Sequence, residues 1–142
     1  MNMRKHTVSL ICILTLLLLL LFPAFARTRP RRTIPAGTWA GNHIRIEVAK
    51  GSATIEYDCA TGTIKGPLTI NSAGEFSLRG TYIREHAGPT RLGEQSNGQP
   101  ARYKGSIHGK KMTLTVILSD TNEEVGAFDL EQGSQGRVFK CR

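Results

Sequence analysis

The chain has 142 residues, 39% of them hydrophobic, with 19 Lys and Arg against 11 Asp and Glu. That length supports one compact core and excludes two comfortable domains. Six of the basic residues precede Thr33, leaving 13 against 11 beyond it, so the net charge of +8 belongs mainly to the N-terminal stretch and points away from a nucleic-acid-binding domain.

In chain order, Arg4 and Lys5 precede an apolar run, Val8–Phe22, with consecutive leucines at Leu16–Leu21, then Pro23 and Ala24-Phe25-Ala26. A basic head, an apolar middle and a small-x-small exit predict a secretory signal peptide over residues 1–26 and an exported product, periplasmic or secreted. The competing reading is an uncleaved membrane anchor, because Val8–Ala26 is near the minimum bilayer span and arginines follow at once. The cysteines agree with export. Cys12 lies in the leader, and Cys59 and Cys141 remain as an even pair, expected to form a disulfide worth roughly 4 kcal/mol in the chain-entropy description.

Residues 27–37 read as a basic, Pro-containing arm, with Arg27, Arg29, Arg31 and Arg32 near Pro30 and Pro35. No apolar periodicity runs through it, so an extended, solvated leader is expected. Its arginines suit contact with anionic lipid headgroups.

From residue 38 to 142 the pattern has period two. His43–Val48 alternates cleanly, as does Thr54–Cys59, where Ile55, Tyr57 and Cys59 share a face opposite Glu56 and Asp58. Gly62–Ile70, Glu75–Glu85, Ala101–His108, Met112–Leu118, Val125–Leu130 and Arg137–Cys141 continue it, separated by Gly, Asn, Ser and Asp turn signals. Gly66-Pro67 interrupts one segment and predicts a bulge or a bend between two strands. His86–Pro100 is the long connection. The segments predict an all-β domain, a single antiparallel meander closing into a roughly eight-stranded barrel; a two-sheet β-sandwich is the alternative. A short helical turn is allowed near Asn122–Glu124.

Gly37-Thr38-Trp39 opens the first strand with the chain's one tryptophan. This resembles the Gly-x-Trp opening of the calycin barrels, which include lipocalins and bacterial periplasmic protease inhibitors. The resemblance implies a Trp39 that closes one barrel end with a basic residue of the last strand across it, here Arg137, Lys140 or Arg142. It also implies a rival function, protease inhibition through the arm at 27–37. The helix that lipocalins carry before their last strand has no counterpart here.

No constellation of residues argues for catalysis. His43, His86 and His108 stand apart, without the clustering that metal ligands show. There is no Gly-x-Ser-x-Gly elbow and no phosphate loop. Glu47, Glu56 and Asp58 fit the wetted side of half-buried strands better than a glycosidase pair. No cofactor is expected. The remaining candidate is the barrel mouth, where His86, Arg91 and Arg102 would meet an anionic or polar group. The expected function is non-enzymatic binding of a small molecule or a protein. An envelope-associated structural protein and a small barrel enzyme are further alternatives.

Overall fold

A computed structural model describes residues 32–85 and 98–141. Its elements are β1 (Arg32–Thr33), β2 (Gly37–Gly41), β3 (Ile44–Ala49), β4 (Ser52–Tyr57), β5 (Ala60–Lys65), β6 (Thr69–Ile70), β7 (Glu75–Arg84), β8 (Gln99–His108), β9 (Lys111–Leu118) and β10 (Glu124–Gln132). Eight of them close an antiparallel barrel in the order β10-β2-β3-β4-β5-β7-β8-β9, while β1 and β6 form a separate two-stranded sheet. The barrel is therefore the observed architecture, and the sandwich is set aside. The expected signal peptide (1–26), residues 27–31, His86, Arg91 and Arg142 lie outside the described residues.

Alternation builds the wall. In β3, Ile44, Ile46 and Val48 turn inward while Glu47 and Ala49 stay exposed; β9 does the same with Met112, Leu114, Val116 and Leu118. Because side chains alternate sides at each step, each meander strand gives one row to the interior. Trp39, Tyr103, Ile44, Ile55 and Val116 are the largest fully buried side chains. Burying one such side chain stabilises by about 1.5–3 kcal/mol.

The last and first barrel strands meet over only two register pairs, Glu131↔Ala40 and Gln132↔Trp39. This short seam is reinforced from outside. After Gly133 the chain reverses and climbs along the β2–β3 hairpin, with Arg137 N–H donating to the Gly41 carbonyl and His43 N–H to the Arg137 carbonyl. Arg137–Cys141, expected as a strand, is instead an irregular strap with a single bridge, Asn42↔Arg137. Cys59 likewise does not continue the inward face of Ile55 and Tyr57. It sits exposed in the β4–β5 turn, where the strap can reach it.

The Gly66-Pro67 interruption is a bend between two strands. Gly66 adopts φ 115°, a region that disfavours side chains, and its N–H reaches the Gly51 carbonyl. The bend drops Leu68 into the barrel end, and β6 then pairs with β1 through Arg32↔Ile70 and Thr33↔Thr69. The arm is thus extended as expected, but from Arg32 it is docked rather than solvated: Ile34 is 7% exposed and its N–H donates to the Leu68 carbonyl. Ile34 and Leu68 together plug this end. The β9–β10 turn holds Asn122 at φ 57°, with no helix among the described residues.

Candidate functional site

Three regions bear on function: the interior, the strap, and the wall formed by β5, β7 and β8.

Among the described residues the interior is closely packed. Among Ile46, Ile64, Tyr103 and Leu114 the free space is about 20 Å³, room for one water. Towards the end where β7 leads to β8, Tyr57 meets Tyr82 edge-on at 5.4 Å and Phe128 at 5.7 Å between ring centroids. The Tyr103 hydroxyl donates to the Thr81 carbonyl at 2.7 Å. Burial pushes its ionisation up to about 12. The Tyr57 hydroxyl is buried with no partner of hydrogen-bonding geometry among the described residues. Desolvation, reinforced by Tyr103 and Tyr82, raises it far above the ordinary tyrosine range. These phenols are core groups held neutral, not acids poised near physiological pH.

Trp39 is completely buried, and its indole N–H donates to the Pro35 carbonyl at 3.0 Å. The arm therefore supplies the indole's polar partner. Arg137, expected across the ring, is exposed and engaged through its backbone, and Lys140 approaches Glu56 at 3.7 Å.

The strap is fastened to the same barrel end as the aromatic cluster. Phe139 N–H donates to Asp58 Oδ1 at 2.8 Å, and His43 Nδ1 lies 2.6 Å from Asp58 Oδ2. His43 reaches this position from the left-handed region, φ 67°, in the β2–β3 turn. Its ring stands 6.0 Å from that of Phe139. Arg45 Nη2 donates to the Gln135 carbonyl at 2.6 Å. Cys59 and Cys141 lie at disulfide distance, with Cα atoms 5.2 Å apart. The Asp58 carboxyl is held below the usual carboxylate range, first by the Phe139 amide and then by His43. The pairing of His43 with Asp58 escaped sequence reading, because the two residues occupy different turns and only the register of β3 on β4, Ile44↔Tyr57, brings those turns together. With one carboxylate, one imidazole and a backbone amide, the group acts as a clasp. No hydroxyl or thiol is bonded to the imidazole among the described residues.

Of the three mouth residues proposed from sequence, Arg102 alone is described. It is exposed on the outer wall of β8, directly opposite Arg79 of β7. It does not point into the barrel, because its neighbours Ala101 and Tyr103 take the inward positions. Below it lies an open groove of about 800 Å³, lined by Asn71, Ser72, Ser77, Lys104, Ser106 and Thr113 among others.

No protein-family model, no curated protein and no solved structure matches this chain. The class is thus defined by geometry alone: a closed eight-stranded antiparallel barrel with a strapped C-terminus.

Proposed function

We propose that this chain is an exported, non-enzymatic barrel that binds a macromolecular partner with its outer wall rather than a small ligand in its interior. The close packing of the interior among the described residues carries the reading. Small-molecule sites occupy roughly 300–1,000 Å³, whereas the space among Ile46, Ile64, Tyr103 and Leu114, inside the wall of the described residues, is about 20 Å³. A fold stabilised throughout by buried aliphatic and aromatic side chains serves here as a rigid platform. Its export rests on the leader at 1–26, and the Cys59–Cys141 pair, close enough to bond, suits an oxidising compartment.

The test is titration of the purified protein with neutral Nile red and with long-chain fatty acids, read through Trp39 emission. Trp39 is the chain's one tryptophan and is fully buried, so an interior ligand would perturb it. No saturable change is expected. A saturable, stoichiometric change would overturn the reading and restore an interior binding site.

A further inference from the structure

The outer wall of β5, β7 and β8 carries a cross-strand row of like charges. Arg79 stands directly opposite Arg102. The β5–β7 register ends at Ile64↔Gly80; Lys65 is the next residue of β5 and Arg79 the preceding residue of β7, at the same end of the pairing. Lys104 flanks the row, opposite Ser77 on one side and Thr115 on the other. All four cations are exposed. Strands lie about 4.8 Å apart, so the row Lys65-Arg79-Arg102 covers roughly 10 Å of rigid surface.

Like charges placed directly opposite destabilise a sheet. The rest of this barrel avoids the arrangement: Arg45 faces Glu56, and Lys111 faces Glu131. On the β7–β8 wall the nearest acid in the adjoining rows is Glu75, which is opposite Ser106 and receives the Asn71 amide at 2.9 Å. A local rule kept elsewhere and broken here marks a surface retained for something other than stability.

The groove below the row adds a second observation. Its walls carry the hydroxyls of Ser72, Ser77, Ser106 and Thr113, the Ser106 and Thr113 pair bonded to each other at 3.0 Å, and one carboxylate, Glu75, with Lys104 the cation of the lining. Arg32 donates to the Ser72 carbonyl at 3.3 Å, which adds a fifth cation at the groove's lower end. Hydroxyls match the hydrogen-bonding groups of sugar rings. A row of guanidinium and ammonium groups matches repeated carboxylate or sulfate groups. A concave, polar groove continuous with a cationic row fits a linear chain and cannot be filled by a flat bilayer.

We infer that the β5–β7–β8 wall and the groove below it bind a linear anionic polysaccharide bearing carboxylate or sulfate groups. This rests on the outer-wall reading above and names its partner.

The test uses heparin as the sulfated probe, polygalacturonate as the carboxylate probe, dextran as the neutral control, and vesicles containing phosphatidylglycerol. The variants are the triple Lys65→Gln/Arg79→Gln/Arg102→Gln and a control triple of equal charge change, Lys50→Gln/Lys110→Gln/Lys111→Gln. Binding of at least one anionic glycan and none of dextran is expected. The wall triple should weaken it at least tenfold and flatten its salt dependence, while the control triple changes it less than twofold. The heparin and polygalacturonate arms separate sulfate from carboxylate recognition. Equal losses in both triples would reduce the effect to net charge and overturn the inference. Binding to vesicles without binding to either glycan would overturn it in favour of a membrane surface. No anionic binding, with Nile red also inert, would remove this partner but leave the outer-wall reading standing; saturable Nile red binding would remove that reading itself. Folding of the wall triple is checked by Trp39 emission. Arg102→Gln alone should raise Tm, since it relieves a like-charge pair.

Discussion

The ring of Tyr103 packs against Gly80 so closely that a Cβ built on Gly80 would stand 2.8 Å from Tyr103 Cε2. A Cβ on Gly62 would collide with the Tyr103 hydroxyl. These glycines, on strands β5 and β7, leave the volume that the phenol of β8 fills, and the hydroxyl then reaches the Thr81 carbonyl. A residue with no side chain in a strand interior normally weakens it; here the aromatic neighbour supplies the missing contact.

Gly80→Ala should therefore destabilise, although alanine favours strands more than glycine does. Overpacking of this kind costs about 1–3 kcal/mol. Urea denaturation followed by Trp39 emission measures it. The same Cβ would also meet the Thr63 carbonyl, so an unchanged midpoint would show that both the Tyr103 ring and the β5 backbone give way.

Alkaline pH should unfold the barrel in a defined window. Tyr103 is raised in the folded state to about 12, and Tyr57 is raised further, so both remain protonated where an unfolded tyrosine ionises. The unfolded chain then binds fewer protons than the native one, and stability falls as pH rises. The loss starts near the ordinary tyrosine value of about 10 and proceeds at up to about 1.4 kcal/mol per pH unit for each group. Phenolate absorbance at 295 nm should show part of the tyrosine titrating only together with the loss of native circular dichroism. Reversible ionisation of every tyrosine in the folded protein would contradict this.

Replacing Cys141 by Ser should cost about 4 kcal/mol in oxidising buffer, the chain-entropy value for a cross-link that closes a loop of this size, since the two cysteines are 82 residues apart. The strap should detach with it, and the Phe139 amide should lose hydrogen-exchange protection while the amides of β3 and β4 keep theirs. Loss of protection throughout the barrel would mean that the strap is essential to closure of the β10–β2 seam.

Acid should open the clasp late. The Asp58 carboxyl is held low by the Phe139 amide, with His43 second. A carboxyl lowered in the folded state stabilises above its unfolded value of about 3.9, and that contribution is lost as pH falls through the lowered value. The Phe139 amide shift in NMR should accordingly titrate below the ordinary aspartate range. In Asp58→Ala the shift should not titrate there and the amide should exchange faster. A midpoint at or above about 4 in the wild type would show that the bond to Phe139 does not persist in solution.

Much of the fold was legible because half-buried strands advertise themselves residue by residue. Ile44, Ile46 and Val48 against Arg45 and Glu47 reveal a wall with one greasy side, and a meander of such walls hides its edges best by closing. Less was legible wherever the chain acts without period. Ile34 stands alone among arginines and prolines, so its burial as a plug left no pattern to read. Val138 and Phe139 imitate a strand, yet the strap forms because Cys141 must reach Cys59 past a turn already occupied by Asp58. Of the candidate site, the sequence pointed to Arg102 but turned it towards the mouth; its neighbours Ala101 and Tyr103 take the interior and leave it on the wall.

The sequence by itself determined the all-β class, an interruption at Gly66-Pro67, the expected pairing of Cys59 with Cys141 and the near-balanced charge beyond residue 32, because each depends on local periodicity or on a count. Only the tertiary structure decided which turns meet, what lies across Trp39, how little space the interior keeps, and that Arg79 faces Arg102. Those depend on strand register, which is set by the packing of the whole barrel and is written in no single segment of the chain.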